Sequence, residues 1–170
     1  NHFGLDLKAT LRAAITNIKN IGSGKRLIGA STITQQVAKN FLLSSEVSYE
    51  RKIKEAILAI RIERAFSKNQ ILELYLNEIY LGFKSYGVAA AALNYFDKSL
   101  DNLSLAETAF LAALPKAPNN YNPIYKIKQA TLRRNWVLSQ MYKNGYIKKA
   151  IEIEERKKPI KTIESSGTDT

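Results

Sequence analysis

Signals for the start of a helix recur along this chain and constrain its fold more than any other feature. In a capping box, a Ser or Thr is followed three residues later by Glu or Gln, and the two residues bond across the first helical turn. The pattern occurs at 32–35, 67–70 and 104–107. Apolar residues at helical spacing follow each box, and no alternating stretch of strand length appears. The sequence therefore predicts an all-α fold.

Apolar spacing and helix-breaking residues set the expected helix boundaries. Gly82 is placed as a helix stop and Pro115 ends a later helix. On the longest helix, Ile53, Ile57 and Ile60 share one side, which we expect to pack against the core. The expected helices are 7–18, 32–43, 49–66, 67–80, 86–96, 104–114 and 126–143, with a short charged helix before residue 159.

Charge is the unusual part of an otherwise ordinary globular composition. The 170 residues are 45% hydrophobic and 24% charged, which suits one compact domain with a real core. The formal net charge is +11, and residues 108–151 contain eight Lys or Arg and no acid. Such a surface attracts polyanions, meaning nucleic acid, anionic lipid headgroups or pyrophosphates. Charge alone does not choose between them.

Several kinds of site are excluded by what the sequence lacks. It contains no cysteine, which excludes disulfides, thiolate zinc sites and a cysteine nucleophile. His2 is the only histidine, so a histidine-based metal site is excluded and a Ser–His–Asp triad is disfavoured. No run of about 18 apolar residues, the length of a membrane-spanning helix, is present.

The stretch from Gly29 to Asn40 is crowded with hydroxyl, amide and amino groups. Its capping box places it at a helix N-terminus, where backbone N–H groups and the helix dipole attract phosphate. Gln35 and Lys39 share one face, as do Gln36 and Asn40, while Ile33 and Val37 are expected to be buried on another. The alternative is a well-capped amphipathic helix with a polar solvent face, which spacing alone favours. The functional interpretation is a helix that presents donors to an anion.

The segment 51–55 places a carboxylate among cations. Arg51 and Glu55 are four residues apart and therefore neighbours on a helix, with Lys52 and Lys54 beside them. A surface ion-pair ladder explains this spacing and is favoured by it alone. The functional hypothesis is a cation cluster for an anionic leaving group, in which Glu55 organises those cations, a metal or a proton.

Five segments in chain order carry a recognisable set of motifs. They are His2-Phe-Gly4, Gly29–Asn40, Arg51-Lys-Ile-Lys-Glu55, Ile71–Asn77 with Gly82, and Glu107 with Leu111–Pro118 and Tyr121–Pro123, continued by Arg133–Leu138. In this order they resemble the peptidoglycan glycosyltransferase domain, glycosyltransferase family 51, of class A penicillin-binding proteins. The resemblance runs from residue 2 to about residue 147.

The resemblance implies a fold, a reaction and partners. The fold would be a single lysozyme-like helical domain over 1–158 with a smaller membrane-facing lobe, and 159–170 would be a linker. The reaction would polymerise lipid II into glycan strands with inversion, releasing undecaprenyl pyrophosphate, and a divalent ion such as Mg²⁺ could assist. Implied partners are lipid II, the growing glycan strand, the membrane surface and a transpeptidase domain of the same parent chain, with no nucleic acid. The implied location is the outer, periplasmic face of the bacterial inner membrane.

Site residues carry over from the family motifs one position at a time. Glu55 matches an essential glutamate near the donor pyrophosphate, and Lys39 and Arg51 match pyrophosphate-binding positions. The other matching residues of the same groove are Ser31, Gln35, Gln36, Asn40 and Lys52.

Two departures from the family pattern affect the expected activity. The general-base glutamate of the first motif would precede Asn1, and Val47 stands where many members carry an arginine or lysine. The transpeptidase domain and an N-terminal membrane anchor are likewise expected outside these residues. We therefore expect the 170-residue piece alone to be inactive. Polymerisation of labelled lipid II as fast as by an N-terminally extended form would contradict this.

Three alternatives stay open at the level of sequence. A lytic transglycosylase or muramidase would cleave purified glycan, whereas a polymerase would consume lipid II. A basic helical nucleic-acid-binding domain would show a salt-dependent gel shift, although no aromatic stacking platform or known nucleic-acid motif accompanies the basic segments. A non-catalytic scaffold is the third.

Overall fold

The computed structural model describes Asp6, Arg12 and the ranges 31–42 and 48–163. The expected helix at 7–18 therefore lies outside the described residues apart from Arg12, as do His2, Gly29 and Val47. No β-strand occurs in the described ranges, so the all-α prediction is confirmed. The helices are α1 (Ile33–Phe41), α2 (Tyr49–Ala65), α3 (Lys68–Glu78), α4 (Val88–Phe96), α5 (Leu105–Ala113), α6 (Ile127–Lys143) and α7 (Lys149–Lys157), with short 3-10 turns at Leu100–Asn102, Leu114–Lys116 and Pro118–Asn120.

The predicted capping boxes set the starts of three helices. At α1 the backbone N–H of Thr32 donates to Gln35 Oε1 at 2.9 Å, and the N–H of Gln35 donates to Thr32 Oγ1 at 3.1 Å. The boxes at 67–70 and 104–107 close in the same way. Helix α4 begins at Val88, two residues after the expected start, because an antiparallel bridge pairs Tyr86 with Tyr80.

The chain forms two compact units, Asn1–Glu78 and Ile79–Thr170. In the first, α2 and α3 both pack against α1 around Val37, Ala38 and Tyr75. In the second, α5 packs along α6, and the Phe110 ring meets Tyr95 and Phe96 edge-on at centroid distances of 5.5 and 5.8 Å. None of the helices in the described ranges is both long and apolar enough to cross a bilayer. The domain boundary after residue 158 stays a prediction.

The predicted packing face of α2 is wrong. Its buried residues are Glu55, Ala59 and Ile62, whereas Ile53 and Ile57 are 61% and 49% exposed. The period is correct but the phase is displaced by two residues, about 200° around a helix. The large apolar side chains of the isoleucines led to the wrong prediction. The side that is buried carries a glutamate and a small alanine, which do not look like core residues in the sequence.

Burial on α1 is also only partly as expected. Val37 is buried as predicted, but Ile33 is 42% exposed. Thr34 takes the buried position on the first turn, where its hydroxyl donates to Glu63 of α2. A hydrogen bond between two helices is therefore found where the sequence pattern predicted an apolar contact.

Gly82 is required by both its backbone and its surroundings. Its φ is +82°, and a Cβ there would lie 2.8 Å from Tyr95 Oη and 3.3 Å from Pro118 Cβ. Tyr95 Oη is held in place by donating to the Leu81 carbonyl at 3.0 Å. We expect Gly82→Ala to lower the free energy of unfolding by about 2–4 kcal/mol, combining left-handed backbone strain with overpacking.

Gly145 supplies the matched control for this prediction. Its φ is +80°, but a Cβ there would meet nothing within 4 Å. Gly145→Ala should therefore cost only about 1 kcal/mol, the backbone part of the effect. Urea unfolding of both variants checks the comparison, and equal losses would show that the contacts around Gly82 contribute nothing.

Candidate anion-binding site around Glu55

A buried carboxylate on α2 is held between two cations in the first unit. Glu55 is fully buried on α2, and each of its oxygens faces a different cation. Arg51 Nε lies 3.2 Å from Oε1, and Lys52 Nζ lies 2.5 Å from Oε2. Lys52 Nζ also donates to Ser31 Oγ at 3.3 Å, which connects this cluster to the residues just before α1.

The local structure of α2 explains why these groups converge. Ser48 caps the helix by accepting the N–H of Arg51 at 3.1 Å, so Arg51 and Lys52 lie in the first turn. Glu55 follows one turn later on the buried stripe. The i,i+4 and i,i+3 spacings then bring one cation to each carboxylate oxygen.

The same helix carries a surface ion pair for comparison. Lys54 Nζ lies 2.6 Å from Glu50 Oε1, but the two side chains are 61% and 76% exposed. That pair fits the surface-ladder interpretation. The Glu55 side chain is 1% exposed and that of Arg51 only 14%, so their pairing takes place away from water. The ladder interpretation therefore fails for Glu55.

The electrostatics of the cluster favour an additional anion. A buried carboxylate is costly unless it is paired, and Arg51 and Lys52 fulfil that need. The formal charges of Arg51, Lys52 and Glu55 sum to +1. The Lys52 side chain is 53% exposed, so its ammonium group is accessible to a ligand while Glu55 holds it in position. The contact between Arg51 Nε and Glu55 Oε1 lacks hydrogen-bond geometry and is one of charge.

The residues carried by α1 divide into three groups. The side-chain oxygen of Gln35 is used by the capping box, which leaves its NH₂ group as the donor. Gln36 is half-buried, whereas Lys39 and Asn40 are exposed one turn further along. Within the described part of the chain, no hydrogen bond or ion pair joins Lys39 or Asn40 to the Glu55 cluster. The structure thus brings together Ser31, Arg51, Lys52 and Glu55.

Sequence reasoning missed a cavity beside α1. Asn40, Val37 and Phe41 line a space of about 170 Å³ together with Glu78 at the end of α3. The α3 segment was interpreted as scaffold, and nothing in its spacing indicated that Glu78 would meet α1. Contacts between helices distant in the chain have no local sequence signal.

The described residues do not by themselves fit a divalent cation. Mg²⁺ in proteins prefers carboxylate oxygens and water. No group of three Asp, Glu, His or Cys side chains that could hold a metal occurs within 31–42 and 48–163. Glu55 presents both oxygens to cations, which compete with a metal for them. The assistance of Mg²⁺ stays a prediction.

Comparison with known proteins identifies the family. The family model described as Transglycosylase matches residues 1–142. This chain belongs to the transglycosylase family. The resemblance to glycosyltransferase family 51 is confirmed at this level, which disfavours the nucleic-acid-binding alternative.

Similar proteins support the same assignment. The chain is 55% identical over 160 residues to penicillin-binding protein 1A of Rickettsia felis, covering 94% of this chain and 20% of that protein. It is 54% identical over 160 residues to penicillin-binding protein 1A of Aquifex aeolicus, covering 94% of this chain and 22% of that protein. The transglycosylase-family chain thus spans about a fifth of the length of these curated relatives.

A solved structure shows the same fold. The crystal structure of penicillin-binding protein 1A from Haemophilus influenzae matches with a TM-score of 0.55 and 41% sequence identity. The match covers 79% of this chain and 18% of that one. The helical architecture therefore agrees with that of a family member.

Proposed function

We propose that this transglycosylase-family chain binds the pyrophosphate of lipid II and takes part in polymerising lipid II into glycan strands. The observation that carries the proposal is the buried Glu55 with a separate cation on each oxygen. Such a cluster is positively charged and preorganised, which is what a departing pyrophosphate requires. The names of the relatives, penicillin-binding protein 1A, support a role in bacterial cell wall synthesis.

The proposed reaction is a glycosyl transfer with inversion. The 4-hydroxyl oxygen of the acceptor N-acetylglucosamine forms a bond to the anomeric carbon of the donor N-acetylmuramic acid. The bond from that carbon to the pyrophosphate oxygen breaks, and undecaprenyl pyrophosphate leaves with the bonding electrons. A general base removes the proton of the attacking hydroxyl. The Glu55 carboxylate is engaged by Arg51 and Lys52, so we assign this proton transfer to a group outside the cluster.

Each residue of the cluster has a proposed part in holding the leaving group. Lys52 is half-exposed and offers its ammonium group to a phosphate oxygen, while Arg51 adds charge from a more buried position. Glu55 is a positioning residue that fixes both cations. Ser31 limits the movement of Lys52. Helix α1 would supply further hydrogen-bond donors to the pyrophosphate, from Gln35, Gln36, Lys39 and Asn40.

The proposal includes a location and partners. Because lipid II is a lipid-linked substrate, the chain would work against the outer face of the bacterial inner membrane, whose anionic lipids suit a net charge of +11. The growing glycan strand and a transpeptidase domain of the same parent chain would be its other partners.

Binding of lipid II by the 170-residue chain tests the anion site without requiring turnover. We expect Arg51→Gln to weaken the affinity for lipid II in detergent micelles by about ten-fold or more, since it removes a charge from the desolvated cluster. Lys54→Gln is the matched control, because Lys54 is an exposed cation on the same helix. Its affinity should remain within about two-fold of the parent chain.

Two results would overturn the proposal. Equal weakening by both substitutions would show that overall charge, and not the Glu55 cluster, attracts the ligand. Cleavage of purified glycan strands by an N-terminally extended form, with lipid II left unconsumed, would favour the lytic alternative.

A further inference from the structure

The exposed side of α6 carries an apolar and basic surface that the proposed function does not use. Ala130, Arg134 and Leu138 form the buried side of this helix. The opposite side lies roughly 180° away at about 100° per residue. We call it the Trp136 face, and its members are Lys128, Leu132, Arg133, Trp136 and Lys143.

The apolar part of the Trp136 face is exposed beyond what core packing explains. Leu132 is 62% exposed and Trp136 is 50% exposed, and the two are neighbours one turn apart. Single exposed apolar residues are normal on protein surfaces. A tryptophan in contact with an arginine is instead typical of an interaction hot spot.

Arg133 is already arranged for binding. Its guanidinium lies over the Trp136 ring, with the carbon Cζ 3.9 Å from the ring centroid. Its Nε atom is shielded from solvent and makes no hydrogen bond within the described part of the chain. The cation–π contact keeps this cation beside the indole, so less side-chain freedom is lost when a partner binds.

Charge determines what kind of partner suits this surface. Residues 108–151, which include all of α6, contain eight Lys or Arg and no acid. Two of the three acids of α7 are engaged elsewhere, since Glu152 accepts from Ser139 at 2.8 Å and Glu155 accepts from the N–H of Ala106 at 3.0 Å. Both acids also pair with basic residues of the same region. The Trp136 face is therefore complementary to carboxylates.

We propose that the Trp136 face docks an acidic amphipathic segment of a partner protein. Apolar side chains of the partner would cover Leu132 and Trp136, and its carboxylates would meet Arg133 and the flanking lysines. A bilayer is a poorer fit. An interfacial helix inserts a wide apolar face into the membrane, whereas the apolar side of α6 is already buried against the core. A docked segment of about 15 residues would match the span of the face, about 22 Å from residue 128 to residue 143.

Trp136 allows a direct test because it is the only tryptophan in the chain. Its fluorescence should shift to the blue, in a saturable manner, when the 170-residue chain is titrated with a 15-residue peptide carrying leucines at helical spacing among glutamates. A scrambled peptide of the same composition should bind about ten-fold more weakly, since it cannot present one apolar face.

Two variants and two other ligands complete the test. Arg133→Glu should weaken peptide binding by about ten-fold or more, whereas Arg64→Glu, an equal change of charge at an exposed position of α2, should leave it unaltered. Circular dichroism verifies that both variants are folded. The proposal is overturned if the peptide causes no shift, if the two variants bind alike, or if phosphatidylglycerol vesicles or a DNA oligonucleotide cause the shift more effectively than the peptide. Lipid II binding is unaffected by these outcomes, so this inference fails independently of the proposed function.

Discussion

Glu55→Gln should reduce lipid II polymerisation by about 10²–10³-fold in an N-terminally extended form of the chain. The substitution keeps the shape of the side chain but removes the charge that holds Arg51 and Lys52. Lys52, which is half-exposed, would then move toward solvent, and the largely buried Arg51 would no longer face the charge of Glu55. The preorganised charge that stabilises the leaving pyrophosphate would be lost.

Glu50→Gln is the matched control for this result. Glu50 pairs with Lys54 on the same helix but is 76% exposed, so its loss should change the rate by less than about two-fold. Glu55→Asp provides a second comparison, because it retains the charge with a shorter reach and should recover part of the activity. Polymerisation of labelled lipid II at similar rates by the Glu55 and Glu50 variants would contradict a role for the buried cluster.

Arg134→Met should lower the free energy of unfolding by about 3–5 kcal/mol, the largest stability effect that we expect. Arg134 is 1% exposed, and its guanidinium donates to the Lys158 carbonyl at 2.6 Å and the Arg156 carbonyl at 3.0 Å. Its Nε donates to Asn135 Oδ1 at 3.0 Å. Methionine fills similar space but leaves both carbonyls without this donor, and an unsatisfied buried acceptor costs about 1–3 kcal/mol.

The charge environment of Arg134 agrees with this structural role. Burial lowers the pKa of the Arg134 guanidinium, and the nearby Glu155 carboxylate opposes that shift. Arg134→Lys should recover little stability, because one ammonium group cannot reproduce the fork that joins two carbonyls.

Arg133→Met is the control for the stability measurement. Arg133 precedes Arg134 in the chain but contacts the half-exposed Trp136 ring, so its substitution should cost no more than about 1 kcal/mol. Urea unfolding of both variants provides the comparison. Losses of equal size would mean that the bonds from Arg134 to the carbonyls of Arg156 and Lys158 do not stabilise the second unit.

How far the sequence predicts the site can be judged from Glu55 and its neighbours. The spacing of Arg51, Lys52 and Glu55 correctly places them together, since i,i+3 and i,i+4 contacts are fixed by helix geometry. The connection from Lys52 to Ser31 spans 21 residues and has no local signal. The burial of Glu55 could not be predicted from the sequence either. The isoleucines on another side of the same helix are more apolar, so that side was predicted to be buried.

The sequence by itself determined the starts of the three helices with capping boxes, the all-α class and the family of this protein. Capping boxes and apolar periodicity involve residues within one or two helical turns, so both can be recognised in the sequence without a structure. The tertiary structure alone decided which stripe of α2 is buried and which of two adjacent arginines lies in the core. It also separated the buried Glu55 pair from the exposed Glu50 pair, although both follow the same spacing. The physical reason is that the burial of an ion pair depends on which other helices cover it. That coverage is set by contacts between residues far apart in the chain.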